Sequence, residues 1–279
     1  MKKLVLTFAS ALLVGSIALT SCDKQKEAIF DQSAVDNATA DAQFNDLDNI
    51  TTEAMISQEA NAGLRDASTE RTSTFRGCGT YTFSPSTKTI TIDFGTGTTC
   101  TDGRTRKGKI VIVATGRYMT AGSVIVTTPQ DYYVNNVKVE GRKTVTNVTQ
   151  QGGNPKHTVV VADGKLTYAD GSTFTWTTNR TREWLSGSGD LNFTNDVWSI
   201  TGNASGVNRK GKSFSAEITN ALIIKAECFA TSGRIPVQGS YTVVGENASK
   251  SVDFGTGACD RTVTVTITNV GQFTVAVGD

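Results

Sequence analysis

The stretch RTVTVTITNV, residues 261–270, sets Val263, Val265 and Ile267 on one side of an extended chain and Thr264, Thr266 and Thr268 on the other. Successive side chains of a strand point to opposite faces, so this alternation specifies a strand with one buried face and one solvated face. The same period of two recurs in KGKIVIVATG, GSVIVTT, NVKVEGRKTVTNV, HTVVVA and STFTWTT. Between these runs stand Asn135-Asn136, Asp163-Gly164 and Asp170-Gly171, residue types that tolerate the positive φ of tight hairpins. No helical periodicity longer than three turns interrupts residues 108–271. Short connections join antiparallel neighbours, whereas parallel strands need long crossovers. The expected fold is all-β: a large antiparallel sheet meander over residues 71–279, arranged as a sandwich, an open barrel or a curled sheet.

Two nearly identical stretches mark the ends of this body: IDFGTG at 92–97 and VDFGTG at 252–257. In each copy a Tyr-Thr pair (Tyr81-Thr82, Tyr241-Thr242) precedes the aspartate (Asp93, Asp253) by 12 positions. A short turn lies between, at Pro85-Ser86 or Glu246-Asn247. A cysteine follows, Cys100 or Cys259, then Asp102 or Asp260, then Arg104 or Arg261. Each copy also has an earlier cysteine, Cys78 or Cys228. Matching content in matching order predicts the disulfides Cys78–Cys100 and Cys228–Cys259. The copies are also candidates to pair and close the sheet. An aspartic protease would place a hydroxyl residue after each aspartate; here Phe94 and Phe254 stand there instead. Asp93, Phe94, Asp253 and Phe254 therefore read as a repeated corner, with the glycines turning the chain.

The amino terminus has a different texture. MKKLVLTFASALLVGSIALTSC combines a basic start with an apolar run, the pattern of a secretory signal over residues 1–21. Its end, Leu19-Thr20-Ser21-Cys22, resembles the lipobox of bacterial lipoproteins, which implies that Cys22 is acylated and becomes the first mature residue. Residues 22–70 then form an acidic segment; from 23 on it holds 11 acidic and 3 basic side chains, against 15 and 22 in residues 71–279. Phe44, Leu47, Thr51, Ala54, Met55 and Gln58 trace one thin helical stripe. The segment is expected to be a tether with one short helix ending near Gly63; docking of that acidic helix on the basic body is the alternative.

Residues able to carry chemistry are few. The single histidine, His157, reads as an exposed loop residue, and without CxxC spacing no metal site or other cofactor is expected. The near-neutral total charge argues against nucleic acid as a partner. Trp176, Trp184 and Trp198, with Tyr132 and Tyr133, could stack on a sugar; Glu140, Glu183, Asp190 and Glu217 are scattered carboxylates. Trp184 and Trp198 flank the loop LSGSGDLNFTND. Arg104, Arg106, Lys107 and Lys109 form a basic cluster suited to anionic headgroups or acidic glycans.

The lipobox, the corner DFGTGTTCTDGRTRKGKI, and the hairpins YYVNNVKVEGRKTVTN and SITGNASGVNRKGK together resemble exported lipoproteins of the Bacteroidota type. That resemblance implies an all-β, Thr- and Gly-rich body at the cell envelope as an outer-membrane lipoprotein, and brings no activity with it. The expected function is a lipid-anchored, non-enzymatic binding or structural module for glycan, lipid or an envelope protein. The alternative is a carbohydrate-active hydrolase with a carboxylate pair near the Trp-flanked loop.

Overall fold

The structure is a computed structural model and describes residues 32–62, 71–188, 193–232, 235–245 and 249–276. A single long helix, α1 (Gln32–Ala62), is followed by fifteen strands. The first seven are β1 (Arg71–Phe75), β2 (Gly79–Ser84), β3 (Thr89–Asp93), the two-residue β4 (Thr98–Thr99), β5 (Thr105–Ala114), β6 (Val124–Val134) and β7 (Val137–Asn147). Then come β8 (Lys156–Thr167), β9 (Thr173–Ser186), β10 (Val197–Val207) and β11 (Ser213–Lys225). A helical turn, Phe229–Ser232, precedes β12 (Gln238–Val244), β13 (Ser249–Thr256), β14 (Thr262–Ile267) and β15 (Gly271–Ala276).

All strands belong to one antiparallel meander in which each pairs with its sequence neighbour, β4 being a short addition to β5. The pleat sorts the side chains. One inward row runs Lys143, Val161, Thr178, Ala204, Ala216, Val243, Lys250, Ile267, in register across eight strands and buried throughout. The adjacent outward row reads Thr144, Val160, Asn179, Asn203, Glu217, Thr242, Ser251, Thr266. Val263, Val265 and Ile267 of β14 face inward, as their alternation predicts.

The turn chemistry holds at two of its three positions. Asn135 and Asn136 both take positive φ between β6 and β7, and Asp170-Gly171 turns β8 into β9. Asp163-Gly164 lies instead inside β8, where the register shifts between Val161 and Gly164. Bulges of this kind bend a strand and raise its twist. A second one, at Gly108 of β5, shows why glycine is required: a Cβ there would sit 2.0 Å from the Asp131 carbonyl oxygen.

The sheet is not closed. β1 pairs with β2 alone and β15 with β14 alone, so the two repeated corners occupy opposite ends of the meander and do not meet. What fills the interior is α1. Ala40, Phe44, Leu47, Ile50, Ala54 and Met55 join one core with residues from β1 to β12. At 3.6 residues per turn the buried positions cover more than half of the helix circumference. Asp46 on one flank reaches β5 and Asp41 on the other reaches β9, so the sheet curls around the helix. The helix is thus longer than the short one expected and is docked on the body rather than held apart from it.

Candidate functional site

The seam between α1 and the sheet carries most of the buried charge. The helix holds six carboxylates and neither lysine nor arginine. Asp36 accepts hydrogen bonds from Arg209 N and Nε at 2.7 and 2.8 Å; Asp41 pairs with Arg180 at 2.6 Å. Asp46 meets Arg106 at 2.9 Å and Arg104 at 3.0 Å. Asp48 lies between Lys143 Nζ, at 2.6 Å, and the Arg182 guanidinium. Glu53 pairs with Arg76 at 2.7 Å. Neutral contacts fill the gaps: Thr51 to Thr127 at 2.8 Å, Tyr81 Oη donating to Gln58 at 3.0 Å, and Asn208 Nδ2 donating to Ser33 at 2.9 Å.

Burial alone would push the Asp48 carboxyl up, but Arg182 and Lys143 outweigh it and hold it well below the usual carboxylate range. For Lys143 burial wins over Asp48, and its ammonium falls to about 8. Docking of the acidic helix on the basic body is the alternative reading of the sequence; it names no partners, although a signal for them is there. Phe174, Trp176, Thr178, Arg180 and Arg182 share one parity along β9, so the two arginines stand in the buried phase.

Several residues considered for surface binding lie inside. Trp176 is 2% exposed, stacks on Phe44 with centroids 5.3 Å apart, and donates from Nε1 to Asn37 at 3.0 Å. Arg106 is fully buried on β5, where its Nε donates to the Tyr132 hydroxyl and its other nitrogens grip Asp46 and Asp102. The basic cluster is therefore divided by the strand pleat. Lys107 covers the Tyr133 ring at 3.9 Å, Lys109 pairs with Asp93 at 2.9 Å, and Arg104 reaches the helix. His157 is buried rather than exposed: it stacks on Tyr118 and touches Asn147, and burial together with Arg182 pushes its imidazolium pKa down.

Trp184 and Trp198 are half-buried neighbours with centroids 5.9 Å apart, and Trp198 stacks on Phe229. Glu140 and Glu183 face outward and pair with Lys138 and Lys156; Glu217 sits on the outward row. Asp93 and Asp253 each accept a hydrogen bond from the backbone N–H two residues on, Gly95 and Gly255, at 2.8 and 2.7 Å. Phe94 is buried against Tyr132, and Phe254 packs on Tyr241. Cys78–Cys100 and Cys228–Cys259 are both disulfide-bonded, as predicted. Cys22, Asp190 and Glu246-Asn247 lie outside the described residues.

A cavity of about 200 Å³ opens where α1 ends against β2, β3 and β5. Met55, Phe83, Ile90 and Ala114 supply its apolar lining, and Gln58, Glu59, Lys88 and Arg117 surround it. Lys88 stands at positive φ on the β2–β3 turn, and Arg117 sits on the β5–β6 loop; both are exposed. The Glu59 carboxylate accepts the backbone N–H of Tyr118. Among the described residues neither Lys88 nor Arg117 has an ion-pair partner.

No protein-family model, curated protein or solved structure matches this chain.

Proposed function

We propose that the protein is a lipid-anchored cell-envelope protein that works by binding rather than by making or breaking bonds. The observation that carries this reading is the filled interior. The concave face of the sheet, where a curled sheet would hold substrate, is occupied by α1, and its charged groups are engaged in holding that helix. Of the carboxylates considered for sugar hydrolysis, Glu140 and Glu183 face outward and pair with Lys138 and Lys156, which supports binding over the hydrolase alternative.

The anchor rests on Cys22 and its resemblance to a lipobox; the two disulfides agree with an oxidising compartment. Nine residues, 23–31, separate Cys22 from Gln32, so an acylated Cys22 would tether a body whose helix follows closely. Metabolic labelling with an alkyne fatty acid tests the anchor: label is expected on the chain and absent after Cys22→Ala. Label that persists in Cys22→Ala overturns it. Glycan arrays and lipid overlays test the mode of action: retained ligand without product supports binding, and release of a cleaved sugar favours hydrolysis.

A further inference from the structure

We propose that the cavity at the C-terminal end of α1 is a binding site for a short aliphatic carboxylate, an assignment that rests on the binding reading above and gives it a ligand class. The ion-pair seam points to this end of the helix. Along α1, Asp36, Asp41, Asp46, Asp48 and Glu53 each meet a cation of the sheet. The last carboxylate, Glu59, breaks the series by accepting a backbone N–H, and Lys88 and Arg117, which line the cavity with it, make no ion pair among the described residues. An anion supplied by a ligand completes the pattern.

The lining selects the rest of the molecule. Met55 and Ile90 are almost fully buried, so the floor is fixed by the core rather than by mobile surface groups. An apolar floor holds water poorly, because a buried water needs two to four polar partners. The space of about 200 Å³ admits a short aliphatic chain. Lys88 and Arg117 belong to two different connections, β2–β3 and β5–β6, and both line the cavity. Arginine and lysine favour a carboxylate there, the guanidinium by a two-pronged hydrogen bond. Glu59 on the same rim repels a ligand with a second negative charge, which favours a single anionic head.

Methionine offers a direct probe. Met55 lines the cavity, whereas the exposed Met119 does not. The full chain, purified as its cell makes it and carrying ¹³C-methyl methionine, is titrated with hexanoate, with hexanol and with hexylammonium. Hexanoate is expected to shift the Met55 methyl saturably, and hexylammonium to leave it in place. The exposed double variant Lys88→Asn, Arg117→Gln is expected to weaken hexanoate by about tenfold, the sum of two surface charge contacts. A second variant, Ala114→Leu, fills the space with both cations intact and is expected to abolish the Met55 response. The proposal is overturned if hexanoate gives no saturable shift, if hexylammonium shifts Met55 equally, or if the charge variant binds unchanged. The Met55 signal is read whether or not Cys22 is acylated. Its failure therefore removes the cavity assignment alone, while loss of acyl labelling bears on the anchor alone.

Discussion

Arg106 and Asp46, 60 residues apart in sequence, meet inside the protein with one guanidinium nitrogen 2.9 and 3.0 Å from the two carboxylate oxygens. The arginine side chain is fully buried, and the contact joins β5 to the middle of α1.

Removing one partner of a buried ion pair strands the other. Arg106→Ala is expected to cost about 3–5 kcal/mol, read as a lower urea midpoint. Arg104 also reaches Asp46, at 3.0 Å, which places the loss toward the lower end. In a double-mutant cycle Arg106→Met with Asp46→Leu should cost less than the sum of the two single changes. Strict additivity would show that the pair contributes nothing to docking.

Acid should loosen the same seam. Asp48 is held well below its ordinary value of 3.8, and Asp102 falls to about 2, chiefly through its hydrogen bond from Arg106. Both carboxyls bind protons more weakly folded than unfolded, so stability present above pH 4 is lost as pH falls through about 2. Lys143 shows the same sense at high pH. Burial lowers it from 10.5 to about 8, so between those values the unfolded chain holds more protons and this group's contribution grows with pH. Unfolding midpoints taken across pH should show both slopes. Asp48→Asn should flatten the acid limb while lowering stability at neutral pH, because Lys143 and Arg182 then lose their counter-ion; an unchanged limb would remove Asp48 from this account.

Gly108 tests the bulge. It has positive φ, and an added Cβ would overlap the Asp131 carbonyl oxygen at 2.0 Å. Gly108→Ala should destabilise by about 2–4 kcal/mol in denaturant unfolding, against little change for Gly171→Ala beyond its own positive-φ strain, since no atom lies within 4 Å of a Cβ there.

The disulfides close loops of 22 and 31 residues. Chain entropy assigns each about 3–4 kcal/mol. Replacing Cys228 and Cys259 by serine should lower the thermal midpoint, and an unchanged midpoint would show that this bridge contributes nothing to stability.

Deleting residues 23–62 gives the sharpest view of what holds the interior. Without α1, Arg106, Lys143, Arg180 and Arg182 would face an empty concave surface beside Trp176. The remaining strands should bind a hydrophobic dye and lose cooperative unfolding. A cooperative transition equal to that of the full chain would show the sheet to be independent of the helix.

The sheet was legible in the sequence because its inward positions on strands such as β14 are apolar and its outward ones are threonine. The helix was legible as a stripe at Phe44, Leu47, Ala54 and Met55, but not as part of the core. Its other buried positions include the polar Ser33, Asp36, Asn37, Asp46 and Asp48, which read as solvated until their partners are known. Those partners lie on strands far along the chain, and no local pattern names them. Pairing of the cysteines could be read because each couple lies within one copy of the repeated corner. The cavity could not, since Met55, Phe83, Ile90 and Ala114 converge only through tertiary packing.

The enclosure of α1 also sets an order of events during synthesis. The helix is made before any strand, yet Ser33 finds its partner at Asn208, 175 positions later. A segment with six carboxylates and no cation of its own has little reason to stay helical while it waits, since most helical stability in proteins comes from tertiary packing. Contacts of such long range are slow to form, because the loop entropy is lost before the contact is gained. The Cys78–Cys100 bond needs only the first hundred residues and can close early. The chain would then be stapled at one end before its first element has anything to rest on, and β10 to β12, the last strands to join its core, decide when the interior is finally filled.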